Sequence, residues 1–361
     1  MTNHILKSLW LRRSAAIAIA IAFVVVTQLP AISSAAPQVG ARAKSTDLKS
    51  VKLILSWLPQ TEFAGFYVAI AKGWYRADGL NVSIVPGGED VDNPATLMLT
   101  GAVNVADTSP AQDYLDLSNG TDLEDVFQYY EGPTNLYIAR KSSGIKTLKD
   151  MVGKSVGLWF GGDQYEFYAM LKKAGVNPKK VDIFAQGDTI VPWLQGKYDV
   201  MAVTPYNELQ EVLEHMPLSS LNIFSAVPYG VAILGDNVSV LKSYADSNPA
   251  TVQAFLDATA EGWSWSIAHP VKAAAIVVKA VPSLTLPFQI KQLHGMIEEI
   301  CTGPTLKANE GMGYLSPTLL GGTDNTLKEA GALKKPVPVA EGFDARFWKN
   351  IPKQYVHPKC P

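Results

Sequence analysis

Segments with the character of strands and helices alternate along the chain from Val51, and this alternation constrains the fold more than any other feature. "VKLILSW" (51–57) has the apolar character of a buried strand, and a helical aromatic stripe follows it. The pattern recurs where "SVGLWF" (155–160) precedes the helical "QYEFYAMLKKAG" (164–175). Strands that alternate with helices predict parallel sheets covered by helices on both faces. The two blocks therefore predict an α/β protein of two lobes, with a ligand cleft between them.

The last third of the chain has a different pattern. "YGVAIL" (229–234) is still strand-like, but from residue 248 the apolar spacing becomes helical. Pro249, Pro270 and Pro287 each stand near a predicted helix start, where a missing N–H is harmless. We therefore expect a run of helices there.

"SWLPQTEFAGFYVAIAKGWY" (56–75) holds six aromatic residues in twenty positions. The helical spacing of Phe66, Tyr67, Ile70 and Trp74 predicts that these side chains fill the core beneath a helix. Phe63 stands at the edge of this stripe, and its environment is left open.

The polar and aromatic residues at predicted strand ends are the candidates for ligand contact. They are Trp57, Ser109 within the segment 107–110, Trp159 to Gln164, and Thr204 to Glu208. Each segment leads into a helix N-terminus, where free N–H groups attract polar ligands. Each also has a purely structural explanation: Trp57 as edge core, Gly161-Gly162 as a tight turn, and Asn207 and Glu208 as first-turn residues that favour the helix dipole.

Composition excludes several classes of function. The formal net charge of −2 provides no basic field for nucleic acid. Beyond the N-terminal segment the histidines are isolated at positions 215, 269, 294 and 357, so no local metal cluster is visible. Phosphate-loop, dinucleotide and nucleophile-elbow motifs are missing from the sequence. We expect no cofactor, no metal and no catalysis.

The N-terminal segment has the pattern of a secretory signal peptide. Lys7, Arg12 and Arg13 precede the apolar run 15–26, and small residues lead to a cleavage site after Ala36. Residues 1–36 are therefore predicted to direct export to the periplasm, with an uncleaved membrane anchor as the alternative. Cys301 and Cys360 are the only cysteines, and in an oxidising compartment they form either one disulfide or two separate thiols.

Residues 51–270 resemble a known family. "WLPQTEFAGFYVAIAKGWYRADGLNVSIVPGG", "TLKDMVGKSVGLWFGG", "YDVMAVTPYNE" and "AFLDATAEGWSWSIAHP" are similar to bacterial periplasmic binding proteins of the thiamine-pyrimidine type, whose relatives bind sulfonates, nitrate and riboflavin. The resemblance implies the type II periplasmic-binding fold, in which the chain crosses twice between the lobes. We expect residues 48–135 and 235–361 to form the first lobe and residues 136–234 the second.

The resemblance also implies a ligand site. It places Trp57 and Gln60 on the wall of the first lobe, and Trp159, Gly161 and Gly162 on that of the second. The "YNE" of this chain matches the family's own Tyr-Asn-Glu, so Tyr206, Asn207 and Glu208 are expected to hold a heteroaromatic ring. Gly235 departs from the family, in which a Glu is common at this position.

The resemblance thus implies the solute-binding subunit of an ABC importer, monomeric and partnered by a membrane permease. The expected ligand is a thiamine-precursor pyrimidine, namely formylaminopyrimidine or hydroxymethylpyrimidine. The alternatives are riboflavin, an alkylsulfonate such as taurine, nitrate, or a role as a ligand-presenting sensor. A eukaryotic branch of pyrimidine-phosphate synthases carries a histidine on the first helix and a cysteine-rich motif, and this chain has neither.

Overall fold

The computed structural model describes residues 47–361, apart from residues 89, 90, 92 and 134. The predicted signal peptide, residues 1–36, lies outside the described residues. In the part that the structure describes, no helix is long and apolar enough to cross a membrane.

The strands form two five-stranded sheets. The strands of the first sheet are β1 (Lys49–Ile54), β2 (Leu80–Val85), β3 (Val105–Thr108), β4 (Leu123–Gln128) and β10 (Asn237–Leu241), in the order β2-β1-β3-β10-β4. Those of the second sheet are β5 (Leu136–Arg140), β6 (Ser155–Leu158), β7 (Asp182–Ala185), β8 (Val200–Val203) and β9 (Leu221–Ser225), in the order β7-β6-β8-β5-β9. The two α/β lobes predicted from the alternation are therefore present.

The helices cover both sheets and fill the C-terminal part of the chain. They are α1 (Ala64–Lys72), α2 (Trp74–Ala77), α3 (Pro94–Leu99), α4 (Pro110–Asn119), α5 (Gln164–Lys173), α6 (Val191–Leu194), α7 (Glu208–His215), α8 (Lys242–Ser247), α9 (Pro249–Ala268), α10 (Pro270–Ala280), α11 (Leu286–Thr302), α12 (Pro304–Lys307), α13 (Pro317–Ala330) and α14 (Lys353–Val356). The predicted run of C-terminal helices is confirmed, with Pro249 and Pro270 as first residues and Pro287 as the second residue of α11.

Each sheet contains one strand that runs against the others, so the prediction of purely parallel sheets was wrong. β10 is antiparallel to β3 and β4, and β5 is antiparallel to β8 and β9, whereas the remaining pairs are parallel. β4 leads to β5, and β9 leads to β10, without an intervening α-helix. Each of these links passes from one sheet to the other, and the strand that enters the new sheet, β5 or β10, runs against its neighbours there.

"YGVAIL" was predicted to be a strand, and the structure contradicts this. The segment begins with a 3₁₀ turn and forms only an isolated bridge, between Leu234 and Pro133. Side chains bind its backbone N–H groups instead: Glu166 Oε1 accepts from Ile233 N at 3.0 Å and Thr323 Oγ1 accepts from Leu234 N at 3.1 Å. These groups are satisfied without a strand partner, as buried N–H groups must be.

The aromatic segment after β1 packs mainly into the core of the first lobe. Phe63 and Phe66 are fully buried and Tyr67 nearly so, whereas Ile70 is exposed, so the prediction for Ile70 was wrong. α1 crosses α9 so closely that a Cβ on Gly65 would lie 2.4 Å from Trp263 Cδ1. This contact requires a glycine at position 65 in an otherwise bulky stretch.

The C-terminal tail is joined to α11 by a disulfide. Cys301 and Cys360 are bonded, with their Cα atoms 5.8 Å apart. Of the two alternatives for the cysteine pair, the structure contains the disulfide.

Candidate functional site

A cavity of about 590 Å³, here called the cleft, lies between the loops at the ends of strands from both sheets. Its size is within the range of small-molecule sites. Two parts of its lining are central to the site. The first-sheet wall comprises Glu62 and Asp236, and the second-sheet wall comprises Asn207 and Glu208.

Seven of the nine residues predicted to contact a ligand line this cleft. They are Trp57, Ser109, Trp159, Gly161, Tyr206, Asn207 and Glu208. The structure brings them together from the ends of β1, β3, β6 and β8. Their contact with a ligand remains a prediction.

Gln60 and Gly162 are not among the residues that line the cleft. Gln60 is buried, and its Nε2 donates to Glu62 Oε2 at 2.6 Å, so its side chain supports a lining residue. Gly162 has a positive φ of 138°, and a Cβ there would lie 3.1 Å from Ala111 Cβ. Packing against α4 therefore turns Gly162 away from the cavity.

Trp57 and Trp159 meet across the cleft. Their ring centroids are 5.8 Å apart, with an interplanar angle of 68°. They contact each other edge to face and do not stand as two parallel plates. Trp159 Nε1 is buried and has no hydrogen-bond partner among the described residues. The two rings offer a planar ligand an aromatic face and one N–H donor.

The second-sheet wall is a network of hydrogen bonds at the start of α7. Glu208 Oε2 accepts from Thr204 N at 3.0 Å and from Thr204 Oγ1 at 2.8 Å, and Oε1 accepts from Asn207 Nδ2 at 2.7 Å. Asn207 Oδ1 accepts from Gln292 Nε2 of α11 at 2.8 Å. Burial raises the pKa of Glu208, and the bonds from Thr204 and Asn207 oppose that rise.

This wall has one N–H of Asn207 left to offer, beside the Glu208 carboxylate, which also receives its own backbone N–H. A carboxylate oxygen accepts two hydrogen bonds and an amide nitrogen carries two hydrogens. Glu208 Oε1 and Asn207 Nδ2 share a single bond in the protein. A flat ring with an amino group next to a ring nitrogen complements such a pair.

Two helix N-termini at the cleft, those of α3 and α4, are capped by side chains. Ser109 Oγ and Asn93 Oδ1 accept backbone N–H groups in the first turns of α4 and α3. Gln164 Oε1 accepts from Gly161 N at 3.2 Å and from Gly162 N at 2.9 Å. Side chains thus bind an N–H group at the starts of α3 and α4, whereas α5 and α7 have no side-chain cap.

Sequence reasoning missed the first-sheet wall. Glu62 Oε1 accepts from Tyr206 Oη at 2.7 Å, and the carboxyl groups of Glu62 and Asp236 hydrogen-bond to each other. Desolvation raises the pKa of Glu62 to about 7 and that of Asp236 well above its usual value. Asp163, also on the cleft, has its pKa raised by burial to about 6.

The sequence contained a local signal for Asp236, because it directly follows Gly235, the position at which this chain departs from the family. A Cβ on Gly235 would lie 2.2 Å from Tyr130 Cδ1, so the Glu common at this family position does not fit. The acidic residue that lines the cleft is the next one, Asp236. Glu62 offered no comparable signal, because an acid before a helix is ordinary.

The described lining of the cleft contains four carboxyl groups, on Glu62, Asp163, Glu208 and Asp236, and no Lys, Arg or His. Within the described ranges no three His, Cys, Asp or Glu side chains are placed to hold a metal ion. The arrangement is suited to a ligand rich in N–H donors.

A family model described as NMT1/THI5 like matches residues 60–273. Three curated relatives are similar in sequence. A riboflavin-binding protein of Chloroflexus aurantiacus is 26% identical over 309 residues, which is 83% of this chain and 86% of the relative. A formylaminopyrimidine-binding protein of Halalkalibacterium halodurans is 26% identical over 239 residues, 64% of this chain and 70% of the relative.

The third relative, a 4-amino-5-hydroxymethyl-2-methylpyrimidine phosphate synthase of Legionella pneumophila, is 24% identical over 251 residues, 68% of this chain and 78% of the relative. Two solved structures share the fold. The periplasmic aliphatic sulphonate-binding protein of Escherichia coli has a TM-score of 0.62 at 16% identity, covering 82% of this chain and 92% of that chain. The periplasmic nitrate-binding protein of Synechocystis has a TM-score of 0.62 at 14% identity, covering 87% and 92%. The type II periplasmic-binding fold is thereby confirmed.

Proposed function

The chain belongs to the NMT1/THI5-like family, and from this premise we propose that it captures a thiamine-precursor pyrimidine for an ABC importer. The ligand in this proposal is formylaminopyrimidine or hydroxymethylpyrimidine. The formylaminopyrimidine-binding relative supports this assignment.

The observation that carries the proposal is the donor–acceptor pair of the second-sheet wall beside two tryptophans. Asn207 Nδ2 has one more hydrogen to give, and the Glu208 carboxylate lies beside it on the cleft lining. An aminopyrimidine presents an amino donor next to a ring-nitrogen acceptor on one flat edge. Trp57 or Trp159 covers a face of the ring in this arrangement.

The charge of the cleft argues against the anionic alternatives. Sulfonate and nitrate carry a negative charge and need compensating donors. The described lining provides carboxyl groups without a cation, and the starts of α3 and α4 are capped by side chains. A buried anion placed among these carboxyl groups would be strongly disfavoured.

The proposal places the protein in the periplasm, as a monomer that delivers its ligand to a membrane permease. The division into a first lobe of residues 48–135 and 235–361 and a second lobe of residues 136–234 is part of it. In this view the chain binds without turnover, as the names of most of its relatives suggest. No histidine occurs from Phe63 to Tyr75, unlike in the eukaryotic synthase branch of the family that the sequence resembles.

Calorimetry against formylaminopyrimidine, hydroxymethylpyrimidine, riboflavin and taurine tests the function directly. We expect one pyrimidine to bind with a stoichiometry of one and taurine to show no heat. Tighter binding of taurine than of either pyrimidine would overturn the assignment. Chemical conversion of a bound ligand, followed by chromatography, would overturn the binding-only role.

Riboflavin is the second candidate, because the relative that binds it matches 83% of this chain. Its isoalloxazine ring also offers a flat edge with alternating donors and acceptors. Riboflavin differs in carrying a neutral ribityl chain, so the same calorimetric panel separates the two ligands. A ligand-presenting sensor would bind in the same way, and a permease gene beside this one would favour import.

A further inference from the structure

One carboxylate oxygen on the cleft lacks a hydrogen-bond donor in the described part of the protein. It is Asp236 Oδ2, on a side chain that lines the cleft and is 6% exposed. The backbone around it is fixed, because the Asp236 carbonyl accepts from Gln128 Nε2 at 3.0 Å and from Tyr130 N at 3.1 Å. A buried acceptor without a donor is costly, so this oxygen is suited to a donor from a ligand.

Glu62 lies beside this oxygen and is held from both sides. Its Oε1 accepts from Tyr206 Oη at 2.7 Å and its Oε2 accepts from Gln60 Nε2 at 2.6 Å. Its carboxyl group also contacts that of Asp236. The pair is therefore held in place, and apart from the proton that the two carboxyl groups share, Asp236 Oδ2 has no described donor.

The charge around the pair is of one sign. Asp107, Asp163 and Glu208 are the further ionisable neighbours whose charges act on it, and all three are acids. Burial raises the pKa of Glu62 to about 7. Two carboxyl groups in contact without a cation retain a proton between them. A positively charged group would replace that proton, and it would also supply the missing donor.

We propose that Glu62 and Asp236 form a subsite for a protonated amine carried by the ligand. This inference rests on the proposed function, since it assumes that a small ring binds in the cleft. It adds the chemical class of the ligand: a heteroaromatic ring with a basic amine substituent. The ring edge lies on the second-sheet wall and the amine on the first-sheet wall.

Two pairs of probes isolate the amine. The first pair is the 5-aminomethyl and 5-hydroxymethyl derivatives of 4-amino-2-methylpyrimidine, and the second is benzylamine and benzyl alcohol. Members of each pair differ only in a protonated amine against a hydroxyl. Calorimetry on the intact protein at pH 7.5 should show at least tenfold tighter binding of the amine in each pair, as expected for a charge-assisted hydrogen bond.

Asp236→Asn should reduce this preference to threefold or less, because it removes the charge and keeps the shape. Asp113→Asn is the matched control: Asp113 is an equally buried acid that accepts from Ser239 and Asn237 and does not line the cleft. We expect it to keep the full preference. If thermal unfolding shows that Asp236→Asn does not fold, Glu62→Gln serves as the test variant.

The inference is overturned if wild type fails to prefer the amine in both pairs, or if the preference survives in the folded test variant. The two proposals fail in different ways. If the 5-aminomethyl and 5-hydroxymethyl pyrimidines bind equally well, the amine subsite is refuted and the pyrimidine function is retained. A benzylamine preference that depends on Asp236, with no pyrimidine binding, refutes the pyrimidine function and supports the subsite.

Discussion

The two walls of the cleft both present buried carboxyl groups, but they differ in how those groups are supplied with donors. On the second-sheet wall, each oxygen of Glu208 accepts at least one hydrogen bond from its own loop and helix start. On the first-sheet wall, Glu62 is bonded on both oxygens, whereas Asp236 retains an oxygen without a described donor. The second-sheet wall is therefore preorganised, while on the first-sheet wall Asp236 Oδ2 has no described donor apart from the proton shared with Glu62.

The difference shows that a family motif identifies a preorganised network, whereas an unsatisfied buried group identifies a position that still needs a donor. The Tyr206-Asn207-Glu208 motif is part of a rigid network that reaches α11 through Gln292. Rigidity of that kind suits recognition of a ring edge, because less order is lost on binding. The Glu62–Asp236 pair has no such motif, and its significance is visible only from its burial and its missing donor.

The largest expected difference between the two walls is in how strongly their carboxyl groups make the free energy of unfolding depend on pH. Glu62 has a pKa of about 7 in the folded protein against an ordinary value of 4.5. Between these values the folded state binds more protons than the unfolded state, so stability falls as pH rises. This group alone should lower the free energy of unfolding by about 2 to 3 kcal/mol between pH 5 and pH 8.

Urea unfolding at four pH values measures this loss. Glu62→Gln should flatten the decline by about the same 2 to 3 kcal/mol. Glu208→Gln should flatten it less, because donors from Thr204 and Asn207 oppose the rise in its pKa. An unchanged slope in Glu62→Gln would show that this carboxyl group does not hold a proton near neutral pH.

The next largest effect concerns recognition by the second-sheet wall. Glu208→Gln replaces an acceptor by a donor, and a charged hydrogen bond is worth about 1.5–3 kcal/mol. We expect the affinity for hydroxymethylpyrimidine to fall by roughly tenfold to a hundredfold in calorimetry. Glu211→Gln is the control, since it removes a half-buried charge from the same helix outside the cleft lining. Affinity within twofold of wild type in Glu208→Gln would remove the main support for a pyrimidine.

A smaller effect should follow when the link between α11 and the second-sheet wall is cut. Gln292 accepts from Thr61 Oγ1 at 2.6 Å while donating to Asn207. Gln292→Leu leaves Asn207 Oδ1 without its donor, whereas Thr61 Oγ1 can still donate to the Gln289 carbonyl at 3.1 Å, and it should lower stability by about 1–3 kcal/mol. Affinity should fall by less than in Glu208→Gln, because Asn207 itself remains.

Gln253→Ala is the comparison for Gln292→Leu, because Gln253 bonds the half-buried Asp257 within α9. Chemical denaturation of the two variants measures the difference. Equal losses of stability in both would show that Gln292 does not hold the second-sheet wall in place.

The smallest effect is expected outside the cleft, where α5 meets α13. Lys173 Nζ and Glu329 Oε1 are 2.8 Å apart, and both side chains are 43% exposed. Exposed pairs contribute about 0–1 kcal/mol, so Lys173→Ala should change stability by less than about 1 kcal/mol. Ligand affinity should be unaltered. A fivefold change in affinity would mean that this outer contact, and not only the two walls, controls the cleft.

The sequence predicted the general position of the cleft because strand ends in α/β sheets carry a local signal. Trp57, Trp159 and Asn207 follow apolar strand patterns directly, and such positions gather at one edge of a sheet. Glu62 and Asp236 could not be found this way. Their burial depends on Tyr206 and on the contact between segments far apart in the chain.

The direction of individual strands was likewise beyond the pattern of apolar residues. β5 and β10 have ordinary strand sequences, and each is the strand by which the chain enters the other sheet, where it runs against its neighbours. "YGVAIL" fails as a strand because of Glu166 and Thr323, which lie 67 and 89 residues from the groups they bind. Hydrogen bonds from residues so distant in the chain cannot be predicted from the local pattern of apolar residues.

The described lining of the cleft, which has acids and no cation, also has a kinetic consequence. Like charges focused in a cavity attract an oppositely charged solute before contact, so a cationic ligand should associate faster than a neutral one of equal size. The advantage should shrink as added salt shortens the Debye length from about 10 Å at 0.1 M ionic strength. Part of the selectivity of this protein would then lie in the association rate constant, which is set before Asn207 and Glu208 contact the ring.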